Sequence, residues 1–374
     1  MPNSLYIHIP FCRSKCSYCD FYSIAFDEKL AAYYLDTIIN QIANLDERLD
    51  TVFIGGGTPT VIGKKLMEKL LLSLKDKLSG DYEFTVEANP ESFDKDMARL
   101  LKMHKVNRIS LGLQSLCSVK LKKLGRVHSV AQGLRSLDLA INSGFNNVNA
   151  DFIFGIWGED LVSWKKELEE IAKLALTHIS CYSLSYEKGT RLFKSAQKQK
   201  IMPSDESDVS KMLRYAIDYL PSKGFEHYEV SNYAKDGFCC RHNLNYWDNN
   251  SYRAFGASAT YYIGGIRGKY TSSISDYIQN YAQAGIIPAK EEKLSKKKFA
   301  SETAALKIRT KRGIDLRWYK DKTGYELWEF YKEAFRELGK KRLIKIKKDK
   351  YRRANVSLTK RGFLFADEVS SSFF

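Results

Sequence analysis

The chain has 374 residues, 44% of them hydrophobic and 28% charged, with a net charge of +16. That balance excludes a disordered or fibrous chain, and there is no run of roughly 18 apolar residues to span a membrane. Seven cysteines, odd in number and thinly spread, exclude a disulfide framework.

The length suits one large α/β domain with a smaller companion. Met1 precedes the first strand by only a few residues, so no signal or transit peptide is expected. Free thiols point to a reducing cytoplasm. Charge is uneven: residues 290–374 carry 25 Lys plus Arg against 12 Asp plus Glu, whereas residues 1–289 are nearly balanced. Such a basic region meets an acidic protein, an anionic lipid surface or nucleic acid, or is a solvated face. Nucleic acid is the weakest of these, because no obvious recognition helix stands out.

In chain order, the apolar run Leu5–Ile9 predicts a strand, and it leads straight into Cys12, Cys16 and Cys19. The spacing Cys-x3-Cys-x2-Cys supplies three thiolates where a 4Fe-4S cluster takes four, leaving one iron open. A zinc knuckle needs a second Cys or His pair, and none is present. Further strands are predicted at Thr51–Ile54, Glu83–Glu87, Arg108–Leu113, Asn147–Phe154 and His178–Ser183. Helical periodicity marks Lys29–Leu45, Lys64–Leu78, Ser129–Ser143 and Ser163–Ala175. This alternation calls for a parallel sheet with right-handed crossovers, an incomplete barrel of six units with its site at the C-terminal strand ends. A helix Glu206–Leu220, capped by Ser204 or Asp205, is expected to stop before Pro221. Residues 226–270 show no helical period. Residues 290–374 read as a small helical domain closing in a basic hairpin, Leu343–Val356, winged-helix-like in pattern. The division expected is a barrel over 1–225, a linking segment over 226–289 and a basic C-terminal domain over 290–374.

Polar motifs fall at the predicted strand ends. Gly55-Gly56-Gly57-Thr58-Pro59 allows a ligand close to the main chain. Glu87, Gln114, Arg126 and Asp151 together suit a ligand with hydroxyls, a carboxylate and a cationic centre, although such residues also serve as simple caps. Cys240-Arg241-His242-Asn243-Leu244-Asn245-Tyr246-Trp247 sets an imidazole, a phenol and an indole within six residues. His and Tyr ligate heme iron and aromatic faces stack on porphyrins, but a packed aromatic loop reads the same way.

The cysteine loop after a first strand, followed by the glycine motif, resembles the radical S-adenosylmethionine (SAM) superfamily, in which SAM chelates the open iron. Leu-Tyr-Ile-His-Ile-Pro-Phe-Cys12 resembles the branch that holds the oxygen-independent coproporphyrinogen III dehydrogenases and the HemW heme chaperones. The likeness runs over essentially the whole chain. It implies a partial (β/α)6 barrel and SAM contacts at Tyr6, Gly56 and Glu87. Tyr18, Gly57, Thr58, Gln114, Arg126 and Asp151 complete the pocket. It also implies a C-terminal domain of the type shared by the two groups.

The branch leaves two functions. A chaperone binds heme and passes it to an acceptor hemoprotein, with His242 the leading ligand, Tyr246 and Trp247 as walls, Arg241 for a propionate and Cys240 as a further candidate. A dehydrogenase decarboxylates coproporphyrinogen III. Its cysteine pattern ends in a fourth cysteine where this chain has Phe21, and a long segment precedes its first strand. His-Asn-x-x-Tyr-Trp is a mark of the chaperones. The expectation is therefore a heme chaperone without dehydrogenase activity. Its motif loop is expected beyond the last barrel strand, folded over the cluster face.

Overall fold

The computed structural model describes residues 3–285, 287, 289–348 and 354–374. Six parallel strands, β1 (Ser4–Ile9), β2 (Leu49–Gly56), β3 (Leu78–Ala88), β4 (Arg108–Gln114), β5 (Asn147–Phe154) and β6 (His178–Ser183), lie side by side in chain order. Their helices are α1 (Glu28–Ala43), α2 (Gly63–Leu74), α3 (Lys95–Met103), the pair α4 (Ser118–Leu124) and α5 (Val130–Asn142), and α6 (Leu161–Ile171). Strands covered on both faces are buried along their length, as β4 is.

The helices start where the local chemistry allows. Asp27, Ser129 and Asp160 each accept an N–H of the first turn, and Ser129 with Gln132 forms a full capping box. Each such cap is worth about 1 kcal/mol. After β6 come α7 (Arg191–Gln197) and α8 (Glu206–Ser222), the latter capped by Asp205. Helix α8 runs through Pro221 rather than stopping before it. Only one amide is missing in the last turn, and the stop comes at Gly224, whose φ of 85° is open to glycine.

Part of residues 226–289, the expected linking segment, joins the sheet. Strands β7 (Glu226–Glu229) and β8 (Asn232–Ala234) extend it antiparallel beyond β6, and β9 (Arg253–Phe255) pairs parallel with β1, giving the order β9-β1-β2-β3-β4-β5-β6-β8-β7. Between them lies a helix that periodicity missed, α9 (Arg241–Trp247), too short to show a repeat. Cys240, its N-cap, touches Glu83 on β3 and Tyr228 on β7. Those strands are five places apart, roughly 24 Å in a flat sheet. The sheet therefore curls into an open barrel, with α9 inside the curve.

Beyond the barrel a three-stranded antiparallel sheet (Ile314–Asp315, Ala354–Leu358, Ile344–Lys348) packs with the helices of residues 296–371 around its own core, which includes Ala304, Tyr319, Phe335, Val356 and Phe373. The tip of the expected basic hairpin, 349–353, lies outside the described residues. Among the described residues no helix is long and apolar enough to cross a membrane.

Candidate functional site

The C-terminal ends of the strands open into a cavity of about 410 Å³. Its wall carries Cys12, Cys16, Cys19, Tyr18, Gly56, Gly57, Thr58, Glu87, Gln114, Arg126 and Asp151. The structure thus brings together every residue expected of the cluster and SAM pocket except Tyr6. Tyr6 lies a layer below, bonded through its hydroxyl to His8 Nδ1 at 2.9 Å, with its ring centroid 6.2 Å from that of Phe53.

The cysteine loop is tied down from three sides. Ser17 N–H and Oγ both donate to the Leu124 carbonyl, at 3.2 and 3.0 Å. Leu192 N–H donates to the Ser17 carbonyl at 2.8 Å, and the Arg191 guanidinium holds the Lys15 carbonyl. His8 Nε2 meets the Tyr22 carbonyl at 2.9 Å. Glycines then let the chain pass close beneath. A Cβ on Gly57 would stand 2.6 Å from the Phe11 carbonyl and 3.0 Å from Cys12 Sγ; Gly56 has φ 112° with the His8 ring in its way.

A continuous polar chain links two of the cysteines. Thr58 Oγ1 donates to Cys12 Sγ at 3.7 Å and accepts from Asn89 Nδ2 at 2.7 Å. Asn89 Oδ1 accepts from Arg126 Nη2 at 2.6 Å, and Arg126 Nη1 donates to Cys16 Sγ at 3.4 Å. Asn89 carries no motif of its own in the sequence. The available signal was strand alternation, since Asn89 follows Glu87 by two residues and faces the same way. Gln114 reaches the cavity from a left-handed backbone, φ 64°, at an irregularity of the β4–β5 register. Strain of this kind collects at ligand sites.

Glu87 accepts one hydrogen bond, from Gly56 N–H at 3.1 Å. Burial, with Asp151 adding like charge, pushes its carboxyl up to about 8. Asp151 is steered by Asn149 Nδ2 at 2.9 Å and Ser110 Oγ at 3.2 Å. Burial also pushes the Cys19 thiol up to about 11 and raises that of Cys12. Among the described residues no three His, Cys, Asp or Glu side chains converge on a single metal ion. A cluster, with one thiolate per iron, does not require that convergence.

The aromatic motif lies elsewhere. It forms α9 and plugs the barrel floor, which corrects the expectation of a loop over the cluster face. His242 is 1% exposed; its Nδ1 meets Thr51 Oγ1 and its Nε2 meets the Tyr246 hydroxyl, both at 2.7 Å. Thr51 precedes Gly56 by five residues on β2, which puts His242 roughly 16 Å below the glycine edge at about 3.3 Å per residue. Glu83 receives the N-terminus of α9, accepting Arg241 N–H at 2.9 Å and His242 N–H at 3.0 Å. Glu83 is itself buried and stands low on β3, four residues before Glu87, and that fixes the motif below. Burial, then the Arg108 charge, lowers the His242 pKa to about 3, so the ring is neutral. Trp247 turns away under Arg309, 5.5 Å from its ring centroid, and Arg241 pairs with Asp81. The three aromatic candidates thus do not surround one opening.

Known proteins share this plan. Residues 6–175 match the Radical SAM superfamily and residues 294–365 the HemN C-terminal domain. The heme chaperone HemW of Lactococcus lactis subsp. lactis (strain IL1403) is 34% identical over 378 residues, covering 100% of this chain and 97% of the relative. The heme chaperone HemW of Bacillus subtilis (strain 168) is 32% identical over 378 residues, covering 99% and 98%. The solved coproporphyrinogen III oxidase (HemN) of Escherichia coli has the same fold, with a TM-score of 0.84 over 100% of this chain and 90% of that one at 20% identity.

Proposed function

Because the chain belongs to the HemW family of the radical SAM superfamily, we propose that it binds heme and delivers it to an acceptor hemoprotein. The observation that carries this reading is its end-to-end similarity to proteins named as heme chaperones. Phe21 at the place of the dehydrogenase's fourth cysteine supports it.

The family implies a 4Fe-4S cluster and SAM, and the residues fit both. Cys12, Cys16 and Cys19 are the three ligands, on a loop with Gly57 cut away beneath it. Burial keeps the free Cys12 and Cys19 thiols protonated, so iron must displace those protons. Glu87 is placed for ribose hydroxyls, Arg126 with Gln114 for the carboxylate, and Asp151 and Tyr18 close the wall. When bound, the pair supplies one-electron chemistry at the sulfonium. All seven cysteines are free, which suits a reducing cytoplasm.

The alternative, porphyrinogen decarboxylation, is tested directly. The reconstituted protein, incubated anaerobically with SAM, a reductant and coproporphyrinogen III, is expected to yield no protoporphyrinogen. Steady turnover would establish a dehydrogenase instead.

A further inference from the structure

The cavity is graded from floor to mouth. Its inner wall is polar, with Glu87, Gln114, Arg126 and Asp151, and matches a small zwitterion with hydroxyls. The mouth is different. Phe21 is 64% exposed, Val127 58% and Tyr182 41%, and all three line the same opening. One exposed apolar side chain is ordinary; three around one opening form a patch. SAM's polar groups are answered by the inner wall and leave this apolar rim unmatched.

A cation stands beside the patch. Lys15, exposed on the same wall, donates its Nζ to the Phe21 carbonyl at 3.1 Å. Of the carboxylates lining the opening, only Asp20 is exposed. An apolar rim beside an exposed cation suits a planar apolar ring that carries carboxylates at its edge.

The barrel floor offers no such complement. His242 is sealed, and both its nitrogens are bonded. Reaching it with a tetrapyrrole means removing α9 from Glu83 and Thr51, which leaves several buried polar groups unpaired.

We propose that heme docks at the mouth of the cluster cavity, its apolar face against Phe21 and Tyr182 and its propionate edge toward Lys15, with α9 serving as the barrel floor. The placement rests on the chaperone reading but is separable from it. Heme held this way needs no protein imidazole, so its spectrum is independent of His242.

The test is an anaerobic heme titration of the full, cluster-loaded chain and its variants, with cluster absorbance and SAM affinity read in parallel. Phe21→Ser is expected to weaken heme binding by at least about tenfold, the loss of one buried aromatic contact. Lys15→Glu is expected to do the same while SAM binding persists. His242→Gln, which keeps a polar side chain in the floor, is expected to retain the parent's heme affinity and Soret position. Loss in His242→Gln with parent-like rim variants puts heme at the floor and overturns the placement. Parent affinity in all variants overturns it as well. A parent that binds no heme overturns the chaperone reading itself.

Discussion

Glu87 is a carboxyl held ready for a ligand, and its chemistry gives a signed prediction. Its pKa of about 8 in the ligand-free chain means that it is largely protonated near neutrality. Accepting ribose hydroxyls favours the ionised form, so SAM binding releases a proton and tightens as pH rises through about 8. Calorimetry in buffers of different ionisation enthalpy is expected to show that release in the parent and none in Glu87→Gln. Equal behaviour would remove Glu87 from the SAM site. The raised value also makes ligand-free folding stability fall as pH climbs from the ordinary carboxylate range through about 8, and Glu87→Gln flattens that fall. At the cluster, Ala at Cys12, Cys16 or Cys19 is expected to abolish the broad visible absorption of reconstituted protein, whereas Cys117→Ala or Cys181→Ala leaves it. Equal loss in both groups would undo the ligand set. The cysteines were legible because one loop supplies all three ligands at fixed spacing. The Thr58–Asn89–Arg126 chain was not, because its members come from three loops and meet only after folding.

At the scale of elements, the six barrel strands were readable from apolar runs ending in polar motifs. The helix α9 was not, since seven residues carry no period and its partners are remote. Glu83 and Thr51 look like ordinary strand residues in sequence, yet they seat the motif. The chemistry of the motif is visible in the sequence; the carboxylate that receives it, and with it the motif's position, is not. Glu83→Ala leaves the Arg241 and His242 amides unmatched, at a cost of about 1–3 kcal/mol for each buried donor. The expected result is a lower melting midpoint and modification of His242 by diethylpyrocarbonate, detected by mass spectrometry. His242 protected to the parent's level in that variant would contradict the plug.

At the scale of the molecule, the C-terminal domain concentrates the positive charge, although part of it is paired locally, as in Lys341–Glu368 and Lys298–Glu292. Exposed Trp328, Ile346 and Phe365 lie in the same region. We propose that it makes a weak, salt-sensitive contact with anionic lipid or with an acidic face of the acceptor. Flotation with anionic and neutral vesicles separates the two. Lipid contact shows as binding to the anionic set alone, lost as salt rises from low to physiological ionic strength, where the screening length falls to about 8 Å. No binding to either would rule out the lipid contact.

The central claim is that a barrel built around three cysteines and a SAM pocket carries heme. An anaerobic titration of the cluster-loaded, SAM-bound full chain with heme, followed by Soret absorbance, tests it most directly. A sharp end point at one heme per chain is the predicted result. A linear, unsaturable rise, the signature of nonspecific adsorption, would contradict it.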